Sequence, residues 1–484
     1  MSFYEISEKI LNEAFTENGD KAFKSTGSFC LDYFSLVGGM RYNLKDALNL
    51  FMKAYFENPK LAVKILFYTR DIRNGLGERD LFRYALNTLA NMYPFVAKQL
   101  IEYIPEYGRY DDLIVLIDTS VKKDVIDFIK AKLDEDIKNK KEGKPISLLA
   151  KWLPSINTSS SETRLYAEKI ATLLGLKKVE YRKMLSFLRK DLIIENNLRE
   201  KDYTFDYEKI PGGAMFKYKD TFVRNDKERY DKYLSDLSVG KAKMNANTIF
   251  PYEVIRTLEN GANSSQYPTL DAIWKSFDRT KISSKTIVVR DGSGSMYDYN
   301  KVTANSVATS LAILFAEQLT GSFKDKFITF SSKPEIVAIK GEMIHEKYQF
   351  ISTYNDYTNT NIKKVYDLIL KVYQDKSFKE SDALDRIVII SDMEFDCLTN
   401  ARISTFEYFE NEFNKLGFKM PEIVFWNVRA RDIHFPVVNK LGVKLISGSS
   451  AKIIEMVTNN LSVDAYQFML ECLEKYSFID NLEI

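Results

Sequence analysis

The sequence predicts a chain in two parts, a helical platform followed by a doubly wound α/β domain, an α + α/β architecture. Three observations predict it. The chain has 484 residues, more than one ordinary domain holds. Residues 1–240 place apolar side chains at helical spacing with few strand alternations, whereas from residue 281 onward compact β-branched runs alternate with helical stretches. Finally, the hydrophobic run Thr286-Ile-Val-Val-Arg290, the turn Asp291-Gly-Ser-Gly-Ser-Met296 and a helical run over 300–319 follow one another, as at the carboxyl edge of a parallel sheet. The boundary is placed near residue 280, giving parts 1–280 and 281–484.

Composition narrows the classes. Hydrophobic residues make up 45%, ample for a core and against global disorder. No apolar run approaches the roughly 18 residues of a membrane span. Met1-Ser-Phe-Tyr-Glu-Ile lacks the basic-then-apolar order of a signal peptide, so a cytoplasmic or otherwise intracellular protein without a membrane partner is expected. Cys30, Cys397 and Cys472 lie too far apart for a zinc motif or a disulfide framework, and no disulfide-linked partner is expected. Two histidines, His345 and His434, argue against a His-based metal cage or triad, and neither lies near the acidic run 392–396 in sequence. The 32 Phe and 29 Tyr read mostly as core, a minority being available for stacking. The net charge of +2 divides into +5 for residues 1–280 and −3 for the rest, a mild asymmetry that permits nucleic-acid binding by the first part.

In the platform, 46–55 is a short amphipathic helix, and Pro59 suits the first turn of the next. Further helices are expected over 81–92, 94–104, 111–116, 125–137, 147–153, 163–174 and 179–193. Their spacing of about 15–20 residues suggests stacked pairs, as in a HEAT-like solenoid; without a strict repeat, irregular packing is the alternative. Residues 15–34 begin polar and Gly-containing, and 197–250 are polar and less periodic, with Pro211-Gly-Gly213 read as a turn. Helices return over 245–258 and around Leu270, Ile273 and Trp274, and the platform is expected to borrow the chain's last helix.

Two stretches of the platform carry candidate nucleic-acid contacts. The loop Thr69-Arg-Asp-Ile-Arg-Asn-Gly-Leu-Gly-Glu-Arg-Asp80 sets Arg70, Arg73 and Arg79 among acids, with Gly75 and Gly77 permitting a sharp turn. Its plain reading is ion pairing between helices; its sharper reading is phosphate contact. Tyr107, Arg109 and Tyr110 nearby either connect helices or stack and pair with a single strand. Further on, Lys177, Lys178, Arg182, Lys183, Arg189 and Lys190 share much of one helical side, either as a solvated face or as a backbone track. Between 177 and 243 there are 17 basic and 12 acidic residues, with Phe216, Tyr218 and Phe222 interleaved.

In the second part, strands are expected at 286–289, 325–330, 335–339 (an edge hairpin), 386–391, 423–428 and 443–446. Helices are expected over 300–319, 361–373, 403–416, 451–461 and 465–476. Asp291, Ser293 and Ser295 put one carboxylate and two hydroxyls at alternate positions of the first loop. Thr360 precedes a helix, and Asp392 ends the central strand. In an open α/β sheet the carboxyl ends of strands converge on one crevice, so these five can meet there. Hard oxygen donors of this kind suit Mg²⁺ or Mn²⁺, with Ca²⁺ as a further substitute. The competing reading has Ser293 and Ser295 capping the next helix and Asp291 forming a turn; Thr358 competes with Thr360.

Asp-x-Ser-x-Ser, then Thr, then Asp resembles the metal-ion-dependent adhesion site of von Willebrand factor A domains, a resemblance covering about 281–484. It implies Mg²⁺ held by Asp291, Ser293 and Ser295 as the first motif, Thr360 as the second and Asp392 as the third. It also implies an acidic protein partner supplying a further ligand, and association rather than chemistry. Arg290 departs from the pattern, since an apolar residue is commoner there; it either faces the site and weakens metal binding or points away. The whole chain resembles the DUF2828 family through Arg70–Arg79, Tyr181–Arg189, Ile390–Asp396 and Val424–Arg429. Its domain order resembles the Ro ribonucleoproteins, a TROVE domain of helical repeats joined to a von Willebrand factor A-type domain, which implies a single-stranded or structured small RNA as partner.

An enzyme is not expected. Asp392, Glu394 and Asp396 form an acidic run that a two-metal nuclease or phosphatase would use, but no base lies near in sequence. There is no phosphate-loop motif, Cys–His pair or Gly-x-Ser-x-Gly elbow. The expectation is an RNA-binding scaffold with a Mg²⁺-dependent docking site, the alternatives being a metal-dependent protein scaffold without RNA and, last, a metal-dependent phosphohydrolase.

Overall fold

The computed structural model describes residues 7, 9–190, 192, 194–282, 285–298, 300–355, 361–396, 404–459 and 463–484. The chain opens with a hairpin, β1 (Glu13–Phe15) and β2 (Lys21–Phe23), then helix α1 (Phe29–Leu36). Helices α2 (Leu44–Glu57) and α3 (Pro59–Arg70) are separated by Asn58 alone. Asn58 ends the first, and its side chain accepts the Leu61 amide to start the second, with Pro59 in the first turn. Helix α4 (Arg79–Met92) follows a loop in which Gly75 is pressed against the Tyr68 carbonyl, so close that a Cβ would lie 2.1 Å from the oxygen. Helices α5 (Lys122–Lys141), α6 (Ser161–Leu173), α7 (Lys178–Arg189) and α8 (Ile194–Glu200) continue the platform.

The stretch read as polar holds two helices, α9 (Gly212–Asn225) and α10 (Lys227–Ser238). Pro211-Gly-Gly213 is not a turn: Pro211 caps α9, and Gly212 lets its backbone approach Asn245, whose carbonyl would lie 2.0 Å from a Cβ there. These helices enclose a small core of Tyr207, Ile210, Met215, Phe222, Tyr230 and Tyr233. Its tyrosines find partners for their hydroxyls, Tyr207 on Asp226 at 2.8 Å and Tyr233 on the Lys243 carbonyl at 2.9 Å. Phe222 is therefore core, not a stacking platform. Helices α11 (Pro251–Glu259) and α12 (Tyr267–Lys275) lead to the sheet.

The α/β part runs β3 (Thr286–Asp291), α13 (Ala304–Gln318), β4 (Lys326–Phe330), β5 (Ile336–Ala338), α14 (Ile344–Ser352) and α15 (Ile362–Gln374). It continues with β6 (Arg386–Ser391), α16 (Thr405–Lys415), β7 (Glu422–Asn427), β8 (Val443–Ser447) and α17 (Ile453–Asn459). The six strands lie in the order β5-β4-β3-β6-β7-β8, all pairs parallel except the edge pair β4–β5. The chain starts in the middle with β3, winds outward through β4 and β5, then returns to β6 and winds the other way. That reversal between β3 and β6 makes the sheet doubly wound and defines its switch point. At the opposite, amino end of the strands, Arg386, Glu422 and Lys444 form a buried ionic triad, with 2.5 Å from Arg386 Nε and 3.2 Å from Lys444 Nζ to Glu422 Oε1.

The two parts share one continuous hydrophobic core and exchange their ends. Phe23 of β2 trades two backbone hydrogen bonds with Phe435, fastening the hairpin to the α/β part. After α1, Gly38 donates to Ser447 Oγ at 2.9 Å, and a Cβ at Gly38 would lie 2.7 Å from the β8 backbone. In return, α18 (Ala465–Leu473) and the turns that follow it pack on the platform. Phe478 stacks on Tyr103 with ring centroids 4.3 Å apart, and the Tyr476 hydroxyl donates to Asp71 at 3.2 Å. The platform thus does borrow the chain's last helix. Among the described residues there is no disulfide, Cys30 and Cys472 being free and buried, and no helix long and apolar enough to cross a membrane.

Candidate metal centre and basic groove

β3 and β6 lie side by side in register, Arg290 opposite Ile390, so their carboxyl ends deliver Asp291 and Asp392 to the switch point. Asp291 is fully buried and Asp392 nearly so. The Ser391 hydroxyl donates to Asp291 Oδ2 at 2.6 Å, and the Ser293 amide donates to Oδ1 at 2.8 Å. Ser293 and Ser295 hydroxyls lie 3.1 Å apart, and Ser295 also bonds the Asp392 carboxylate. Burial first, and the facing Asp392 second, push the Asp291 carboxyl up to about 7. Asp392 is likewise raised by burial, with Ser295 and Arg431 pulling it back. Met393, next to Asp392, holds a left-handed backbone at φ 65°, unusual for a side chain of that size.

Two facing buried carboxylates with two adjacent hydroxyls make an all-oxygen donor set whose mutual repulsion a divalent cation would relieve, so the residues present fit Mg²⁺. Asp291, Ser293, Ser295 and Asp392 come together as the sequence placed them; Thr360 lies outside the described residues. No cluster of three His, Cys, Asp or Glu able to hold a metal occurs among the described residues. Arg290 leaves β3 on the face opposite Asp291, and its guanidinium packs beside Gly292 of the same loop. Its guanidinium bonds Asn305 and, at 2.9 Å, Thr309 on α13, and Asn305 is held by Glu259 at 2.8 Å.

Several residues at this edge were not foreseen. Arg431 reaches Asp392 Oδ2 at 3.3 Å and Glu17 at 2.8 Å, and Arg429 holds Asp298 at 3.0 Å and the Ser295 carbonyl at 3.1 Å. Both arginines follow the end of β7, so the rule that carboxyl ends converge would have found them; Glu17 left no such signal. His434, distant in sequence, meets Glu394 at 3.0 Å, contrary to the expectation that both histidines fall elsewhere. The other Glu394 oxygen accepts the Glu17 amide at 2.7 Å. The acid–imidazole pair holds the Glu394 carboxyl low against the effect of burial.

The eight platform cations separate into two places. Around the 69–80 loop, Arg70 is buried against Asp112 at 2.7 Å, Arg73 donates to the Glu106 carbonyl, and Arg79 pairs with Asp80 at 2.8 Å. Arg109 pairs with Asp111 at 2.7 Å while lying 4.0 Å over the Trp152 ring. This is the inter-helix ion network of the plainer reading. Along α7, Lys178 pairs with Glu168, and Arg189 ties the Ala150 and Leu153 carbonyls to Ser155. Arg182 and Lys183 instead line an open groove of about 760 Å³ between α7 and α8, joined by Arg189, Lys190, Arg199, Asn157, Asn196 and Asn197, with Glu200 the one acid of its wall. No ion pair engages Arg182, Lys183 or Lys190 among the described residues. The groove's second wall, Asn196, Asn197 and Arg199, was missed because polar Asn carries no periodic signal.

A doubly wound α/β part joined to a helical platform, with acids and hydroxyls at its switch point, is the class these features define. The chain belongs to the DUF2828 family: a profile described as a domain of unknown function, DUF2828, matches residues 16–127 and 122–288. A second domain of unknown function, DUF7788, matches residues 285–476. The chain is 31% identical to an uncharacterized protein, L728, of Acanthamoeba polyphaga mimivirus, across 96% of this chain and 88% of that one. Among solved structures, the Ro (RSR) protein of Deinococcus radiodurans superposes over 93% of this chain and 100% of its own, with 10% identity and a TM-score of 0.36. A superposition that loose carries no weight for fold or function.

Proposed function

We propose that the protein is a non-enzymatic scaffold that binds RNA along the α7–α8 groove and docks an acidic protein partner at a Mg²⁺-dependent site on the sheet's carboxyl edge. The observation that carries the RNA half is the groove itself. Its cations Arg182, Lys183 and Lys190 are exposed and without an ion pair among the described residues, its single acid is offset by Arg199, and the amides of Asn157, Asn196 and Asn197 line it. Cations placed this way attract a phosphate backbone by releasing its counter-ions, and amides meet base edges or sugars. Phe187, exposed on the same helix, offers one stacking surface.

At the sheet edge, Asp291, Ser293, Ser295 and Asp392 would hold the cation, which when bound would offer an open position to a partner's carboxylate. The reading as a binder and not a hydrolase is supported by the donor set, since two carboxylates with two hydroxyls suit one cation better than the pair a two-metal hydrolase uses. Glu394 is committed to His434 and to the Glu17 amide. A protein scaffold without RNA is the second reading, favoured by the metal edge alone.

The test titrates full-length protein against labelled single-stranded and hairpin RNA across salt, with and without Mg²⁺. Binding that weakens linearly in log salt is expected, with Arg182→Glu plus Lys183→Glu lowering affinity at least tenfold and reducing the slope by about 2. Binding unmoved by that charge reversal would remove the groove from the account. Absence of binding at low salt would leave the protein scaffold.

A further inference from the structure

The rim of the metal edge already contains a cation from the chain itself. Arg431 lies between two carboxylates, 3.3 Å from Asp392 and 2.8 Å from Glu17. Glu17 is held there by a strap of its own neighbours. Its amide donates to Glu394, Thr16 Oγ1 donates to the Phe395 carbonyl at 2.7 Å, and Asn18 donates to the Glu394 carbonyl at 2.8 Å. Thr405 Oγ1 donates to Asp20 at 2.7 Å, and Phe23 closes the strap on Phe435. Residues 16–23 are therefore stitched to the segment that follows Asp392 and to the loop that carries Arg431.

We infer that Arg431 is the resident counter-ion of Asp392 and that Glu17, through the strap, sets how strongly it competes with a divalent cation; this rests on the metal reading above. The electrostatic argument has a definite sign. A guanidinium on Asp392 satisfies one of the two carboxylates a metal needs and repels a second cation arriving beside it. Glu17 offsets that positive charge. Removing Arg431's charge must then tighten cation binding, whereas removing Glu17's charge leaves the guanidinium uncompensated and must weaken it. The two partners of one ion pair thus act in opposite directions, which a merely structural bridge would not do, since breaking it from either side would loosen the same contact.

The experiment measures Mn²⁺ binding to full-length protein by the loss of the free-ion paramagnetic signal, with Mg²⁺ competition. Arg431→Gln should tighten binding about tenfold and Glu17→Gln should weaken it about threefold, at low ionic strength. Lys440→Gln removes a cation from the same loop that pairs with Glu410, away from Asp392, and should leave affinity unchanged. Asp291→Ala, which removes a proposed ligand, locates the bound ion. Unchanged or weaker binding by Arg431→Gln, or tighter binding by Glu17→Gln, overturns the inference while the metal reading stands. Absence of binding in both the parent and Arg431→Gln overturns the metal reading and the inference with it. Binding that appears only in Arg431→Gln supports the inference in its strongest form.

Discussion

Asp32, in the first turn of α1, shows how burial couples single residues to pH. Burial raises its carboxyl, and the Thr26 amide at 2.7 Å and hydroxyl at 2.6 Å only partly pull it back. The folded chain therefore holds this proton more tightly than the unfolded one. The stability it contributes is complete below the ordinary carboxylate value and is lost as pH rises through the raised one. Asp32→Asn should consequently gain on the parent between about pH 3.5 and pH 7. Urea titrations at both pH values check this, and an equal difference at the two would contradict it. The convergence of Asp291, Ser293, Ser295 and Asp392 at one edge was legible because it follows from spacing and from where parallel strands end. Glu17 and His434 were not legible, because their partners arrive from segments hundreds and tens of residues away and no local pattern records such meetings.

The elements of the sheet were read nearly to their ends, since buried parallel strands leave compact β-branched runs such as Ile387-Val-Ile-Ile390. Helix α10 was missed because its buried face is Tyr230 and Tyr233, whose hydroxyls count as polar; α9 was missed because its buried face mixes Lys219 with Met215 and Phe222, and because Pro-Gly-Gly reads as a turn when it in fact starts a helix under another backbone. A further feature of the sheet lies at its amino end. Arg386 and Lys444 are both completely buried, and they share the Glu422 carboxylate. Burial depresses the Lys444 ammonium, with Glu422 restoring part of it. Glu422→Gln would remove the carboxylate that both buried cations share, and it is expected to cost about 3–5 kcal/mol. A loss under about 1 kcal/mol in chemical denaturation would show that water or a rearranged neighbour replaces the carboxylate.

On the scale of the whole molecule, the boundary near residue 280 separates two architectures but not two independent bodies. The hairpin and α1, from the start of the chain, complete the α/β part; Tyr476 and Phe478, from its end, complete the platform. Residues 1–280 expressed alone would lack the rings that cover Phe67, Tyr103 and Tyr107, and residues 281–484 would lack the strap and the cover on β8. Neither fragment is expected to give a cooperative thermal transition, while mixing them should restore one, and the intact chain should melt in a single step. Two separate transitions in calorimetry of the intact chain would contradict this.

The glycine contact between Gly38 and β8 bears on how the chain is made. It joins residues about four hundred positions apart at a separation no side chain fits, so the segment after α1 finds its seat only after Ser447 has been synthesised. Long-range closures of this kind slow folding and leave apolar surface waiting. Helices near the start of the chain, emerging early from the ribosome, must remain in a provisional packing for most of translation. Completion is therefore expected only once β8 has left the ribosome, with a marked dependence on chaperone capacity and on growth temperature.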